Sequence, residues 1–138
     1  MTNRELIQEA MKARERSYSP YSGFRVGAAL LTRSGKVYHG CNIENAAYSP
    51  SNCAERTAFF RAVYDGEREF EKIAVVGAMA EGDPNVPCPP CGVCRQVMME
   101  FCDPETFMIV LANGNDNPLE ISLKNLLPLG FGGANLEK

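Results

Sequence analysis

Lys72-Ile73-Ala74-Val75-Val76-Gly77-Ala78-Met79 is a nearly continuous apolar run. A half-exposed strand alternates apolar with polar residues, so a run without that alternation predicts a strand covered on both faces. Upstream, Phe24, Val26, Ala28 and Leu30 alternate with Arg25, Gly27 and Ala29, and Lys36 to Cys41 follows the Ser34-Gly35 turn. These two segments predict a hairpin. Downstream, residues 106–112 read as another buried strand and Leu119 to Ser122 as a short one. Helical patterns fall between them. Leu6, Ile7, Ala10 and Met11 form a stripe behind a Thr2-to-Glu5 capping box, with an end expected near Ser17. Cys53 to about Asp65, Cys91 to Phe101 and Ser122 to Leu127 complete the set, while residues 42–52 and 80–90 read as loops and the tail after Pro128 is rich in glycine. Strands alternating with helices predict an α/β chain: a three-layer α-β-α sandwich around a mixed five-stranded sheet, in one domain over residues 1–138.

Bulk properties narrow the partners. The 138 residues carry a formal net charge of −3, with 45% hydrophobic and 22% charged residues. Lys and Arg are interleaved with acids, so there is no basic face for nucleic acid. No stretch approaches the ~20 apolar residues of a membrane span. Residues 1–17 are amphipathic and charged, without the apolar core of a secretory leader, and a cytoplasmic location is expected. In that compartment six Cys are metal ligands or buried thiols rather than disulfides.

Two motifs carry chemistry. Cys53-Ala54-Glu55 opens one helix and Pro90-Cys91-Gly92-Val93-Cys94 opens another. Cys91 and Cys94 are three apart, so both sulfurs can meet one ion, and helix N-termini favour thiolates. Three protein ligands leave one tetrahedral position open, which is the arrangement of a catalytic zinc site. Glu55, two residues past a ligand, is placed to move protons. A Cys-x-Glu paired with Pro-Cys-x-x-Cys is the general pattern of zinc base deaminases. Three thiolates outweigh the charge of Zn²⁺, so donors beside them are expected; Arg56 is the first candidate and Gln96 the second.

Cys88-Pro89-Pro90-Cys91 offers a competing Cys-x-x-Cys, but its prolines push their predecessors to extended backbone, which favours the Cys91/Cys94 pair. Cys41 and Cys102 are read as buried thiols. His39 is the one histidine, so Ser-His or Cys-His catalysis has little to work with.

The chain resembles the small zinc cytidine deaminases along nearly its whole length. The resemblance lies in Pro20-Tyr21-Ser22, Phe24 and Val26-Gly27-Ala28-Ala29, in Gly40 to Ala46, in Cys53 to Ala58, in Pro90-Cys91-Gly92 with Cys94-Arg95-Gln96, and in Leu126-Leu127-Pro128 with Phe131. It implies one zinc ion per subunit and hydrolysis of cytidine and 2′-deoxycytidine to uridine and 2′-deoxyuridine plus ammonia, a pyrimidine salvage reaction. It implies that Asn42 and Glu44 bind the ribose hydroxyls, that Phe24 packs on the base and that the Ala54 N–H meets the base carbonyl. It further implies a homotetramer in which Phe131 reaches a neighbouring subunit's pocket. The tail around Phe131 is more glycine-rich, and the loop before Pro90 longer, than the family pattern. Two alternatives stand beside this reading: a deaminase of another cytosine-containing small molecule, such as a blasticidin-type antibiotic, and a non-catalytic zinc-binding module.

Overall fold

The computed structural model describes residues 1–114 and 117–136. Helix α1 is Asn3–Arg14, followed by strands β1 Phe24–Thr32 and β2 Val37–Cys41, helix α2 Ala54–Tyr64, strand β3 Phe70–Met79 and helix α3 Gly92–Phe101. Strands β4 Met108–Leu111 and β5 Leu119–Ser122, helix α4 Leu123–Leu126 and a 3₁₀ turn Gly133–Leu136 complete the order. The five strands form one sheet in the order β2-β1-β3-β4-β5. β3 and β4 are parallel, joined by the α3 crossover, and the other neighbours are antiparallel. The expected mixed five-stranded sheet is therefore present.

Successive residues of a strand point to opposite faces, and here both faces are covered. Ile73 and Val75 enter a core with Ala58 and Phe59 of α2 and Met98 of α3, together with Ala28 and Leu30. Ala74 and Val76 enter a second core with Leu6 and Ala10 of α1, together with Ala29 and Leu31. That two-sided burial explains why residues 72–79 lack alternation. The layers are unequal: α1 packs on one face, and α2 and α3 on the other.

Two glycines set the helix positions. A Cβ on Gly27 would lie 2.1 Å from the carbonyl oxygen of Ala10, and one on Gly40 would lie 2.2 Å from that of Ala54 and 2.6 Å from the Ala58 nitrogen. Neither helix can sit at its present depth over a larger residue. Gly40 thus seats the first turn of α2, where the motif Cys53-Ala54-Glu55 lies.

Several boundaries differ from expectation. α1 stops at Arg14 rather than near Ser17, because the N–H groups of Arg16 and Ser17 bond back to Ala13 and Arg14 in a tighter turn. The Arg14 guanidinium is buried there, donating to the carbonyls of Arg25, Ala78 and Met79. β1 runs on to Thr32, and β3 starts two residues earlier, at Phe70. The 3₁₀ turn in the tail had no periodic signal.

Candidate active site

Cys53 and Cys91 are the N-caps of α2 and α3, both in extended backbone. Both residues sit at helix N-termini, which favour negative charge, although only the Cys91 side chain makes a cap bond. The Cys91 sulfur accepts from the Cys94 N–H at 3.5 Å. Cys53 and Cys91 sulfurs are 3.6 Å apart, and Cys91 and Cys94 sulfurs 3.5 Å. All three sulfurs lie within 4.8 Å of one another, the one such cluster among the described residues. Three converging thiols at two helix starts match the donor set of a zinc ion with an open fourth position.

The protons of this cluster are unevenly held. Cys53 is pushed down to about 5, first by its bond with the Cys94 thiol and then by Arg56 and Cys91. Cys94 is raised by the same bond with Cys53 and by burial. A metal entering the cluster displaces thiol protons, so acid opposes metal binding. Arg56 donates from Nη2 to the Cys53 sulfur at 3.3 Å. Its Nε is buried with no partner in the protein, another unmet donor beside the thiols. Arg56 therefore occupies the place expected of it.

Glu55 is 4% exposed, and burial, reinforced by the Cys53 charge, pushes its carboxyl up to about 7. A carboxyl balanced at neutral pH can both take and give a proton. It faces a cavity of about 370 Å³ that also receives Phe24, Asn42, Glu44, Ala54, Cys53 and Cys91. Ala54 is the first residue of α2, so its N–H has no acceptor within the helix. The edge of the Phe24 ring lies 3.1 Å from where a Gly77 Cβ would be, so the absence of a side chain in β3 makes room for it.

The two polar residues from the loop after β2 are held differently. Asn42 is a backbone clamp: Nδ2 donates to the Phe24 carbonyl at 2.8 Å, and Oδ1 accepts from the Val26 N–H at 2.9 Å and from the Ser17 hydroxyl. One N–H of the amide remains for a ligand. The Glu44 carboxylate accepts from the N–H groups of Tyr21 and Ser22, at 3.0 and 3.1 Å, and from the Ser22 hydroxyl. These bonds keep it ionised, with its carboxyl held below the usual range chiefly by Ser22.

Gln96 lies away from the place expected of it, and Phe131, expected at a neighbouring subunit's pocket, lies outside the cavity of its own chain. Gln96 does not reach the thiols; its Nε2 donates to the Phe131 carbonyl at 2.8 Å. Phe131 is 56% exposed and does not line this cavity. The sequence reading missed Ser22 and the wall residue Cys88. Nothing in the Pro20-Tyr21-Ser22 stretch of sequence marks Ser22 as the partner of a carboxylate 22 residues away. Cys88 was considered only as a ligand; burial pushes its thiol up to about 11, which suits a neutral wall.

Residues 1–110 match the profile of the cytidine and deoxycytidylate deaminase zinc-binding region. The chain belongs to this deaminase family. A cytidine deaminase of Sporosarcina psychrophila is 53% identical over 132 residues, covering 96% of this chain and 93% of the relative. One of Halalkalibacterium halodurans is 50% identical over 131 residues, covering 95% of each. Among solved structures, the cytidine deaminase of Burkholderia pseudomallei superposes with a TM-score of 0.84 at 52% identity, over 95% of this chain and all of that one. That of Mycobacterium tuberculosis gives 0.77 at 35% identity, over 93% and 95%. Family membership settles the ion as zinc and accounts for the cluster Cys53, Cys91 and Cys94. No helix among the described residues is long and apolar enough to cross a membrane.

Proposed function

We propose that this member of the deaminase family hydrolyses cytidine and 2′-deoxycytidine to the uridine nucleosides and ammonia, acting in pyrimidine salvage in the cytoplasm. The single observation that carries the reading is the neutral-range carboxyl of Glu55 in the cavity that Cys53 and Cys91 also border, with the Cys94 thiol clustered beside them. Relatives at 50% identity and above, matched over nearly their full length, bear the same activity in their names. Zinc, when bound by Cys53, Cys91 and Cys94, supplies the Lewis acid that makes water nucleophilic at neutral pH.

The protein groups do the rest. The Phe24 ring covers one face of the pyrimidine, and the Ala54 N–H holds the base carbonyl oxygen. The remaining Asn42 N–H and the fixed Glu44 carboxylate bind the ribose hydroxyls, which favours a nucleoside over a free base. Glu55 takes a proton from the attacking water and gives it to ring N3. It then passes a proton to the departing amine, so one water enters and one ammonia leaves. Arg56 offsets the thiolate charge. The reading places residues 1–138 in one domain and the working enzyme in a homotetramer. The exposed, edge-to-face pair Tyr21 and Tyr48 is available for contact with another subunit. In that assembly Phe131 is free to enter a neighbour's pocket.

Loss of cytidine absorbance with release of ammonia tests the reading, with 2′-deoxycytidine, cytosine and single-stranded DNA as comparisons. Turnover of the two nucleosides and not of the others is expected. Glu55→Gln should keep zinc and lower kcat by roughly 10²–10⁴-fold, the usual weight of a positioned proton carrier. A zinc-loaded wild type that turns over no nucleoside, or a Gln variant of near wild-type rate, sinks the proposal.

A further inference from the structure

Of the three thiol-bearing residues, Cys91 is the most exposed, and beyond its cap bond from the Cys94 N–H its sulfur meets only the other two thiols. Cys53 caps a helix pressed onto Gly40, and Cys94 is 1% exposed in the core. Cys91 is exposed and ends the proline-rich stretch 80–90, which has no strand or helix. A metal ligand must be held to a few tenths of an ångström, and an irregular loop does not do that alone.

The chain supplies a brace one turn further on. The Arg95 Nε donates to the Pro90 carbonyl at 2.9 Å, and its Nη1 donates to the Leu126 carbonyl at 2.7 Å. Pro90 is itself buried, and its carbonyl belongs to the peptide that leads into Cys91. Leu126 closes α4, which packs against α3 and brings its last carbonyl to the same guanidinium. One planar guanidinium thus ties the entry of the metal loop to the C-terminal segment. Lysine, with a single ammonium, cannot span two carbonyls in fixed directions.

We propose that Arg95 is a positioning residue of the metal centre: it holds the Pro90–Cys91 peptide, and with it the Cys91 thiol, through a brace anchored on α4. It touches neither the metal nor the substrate. The zinc-loaded protein is challenged with a chromophoric pyridylazo chelator and the release of zinc is timed. Groups that orient metal ligands typically contribute roughly 10–100-fold to metal affinity. Arg95→Ala should release zinc faster by that order, and Arg95→Lys should fall between it and wild type. Melting temperatures are measured with and without excess zinc. The gap between the two should narrow in both variants, whereas a purely structural role lowers both temperatures equally and leaves release unchanged. Wild-type release rates in both variants overturn the proposal; if Arg95→Ala does not fold, Arg95→Lys decides by the same measure. Neither readout requires deamination, so the outcome is separate from that of the functional assay.

Discussion

At the scale of single residues, Glu55 has opposing demands. Its burial suits proton transfer but costs the fold whenever the carboxyl ionises. Burial pushes the folded group up to about 7 from an ordinary 4.5. The protonated form is therefore favoured in the native state, and the penalty grows as pH rises from about 4.5 through 7. In zinc-free protein, Glu55→Gln and wild type should be equally stable near pH 4.5. Above pH 7 the variant should be more stable by about 3 kcal/mol, since each pKa unit corresponds to 1.36 kcal/mol. Urea titrations across this range measure the difference, and parallel curves would show that Glu55 is not desolvated. The ligands and Glu55 were legible in the sequence because each sits within two residues of a helix start, so spacing alone aligns them. The clamp made by Asn42 was not, because its partners Ser17, Phe24 and Val26 lie 25, 18 and 16 residues away. Gln96 misled for the complementary reason. It is adjacent in sequence to the metal motif, but its side chain leaves the helix toward the tail.

At the scale of elements, the active geometry depends on how deeply α2 sits on the sheet. Gly40→Ala places a methyl 2.2 Å from the Ala54 carbonyl oxygen and 2.6 Å from the Ala58 nitrogen. Both are backbone atoms of α2, so relief requires the helix to lift, carrying Cys53 with it. Destabilisation of about 3 kcal/mol is expected, at the upper end for overpacked sites. Zinc affinity should fall as well. Denaturant midpoints and chelator competition check the two effects, and a stable variant with normal zinc affinity would show that α2 is not seated by Gly40. The strands and the helices α1 to α4 were expected from helical spacing, alternation, unbroken apolar runs and turn residues. Their ends were not, because α1 is ended by local turn bonds and the start of β3 is drawn out by pairing with Thr32 of β1. Such non-local pairing leaves no trace in a short window of sequence.

At the scale of the molecule, the sheet separates two cores with different duties. Leu6 lies on the α1 side. Phe59 lies on the metal side, its ring centroid 5.1 Å from that of Phe70, 6.1 Å from Phe101 and 5.9 Å from Phe107. Both are fully buried. Truncating either to Ala should cost about 2–5 kcal/mol. The consequences for the metal should differ. Phe59→Ala loosens the packing between α2 and α3 and should weaken zinc binding, whereas Leu6→Ala should leave it close to wild type. Unfolding and chelator competition on the two variants compare them, and equal losses of zinc affinity would contradict a division of labour between the faces.

The cap positions of Cys53 and Cys91 give the metal a second part in the life of the chain. The two residues are 38 apart in sequence and meet at touching sulfurs. In polymer terms, an ion that bonds both is a removable cross-link closing a loop that contains all of α2 and β3. A permanent bridge over a loop of that size stabilises a fold by about 4 kcal/mol, through the freedom it takes from the open chain. Zinc supply would then govern how much of this protein survives proteolysis, before it governs how fast any of it turns over.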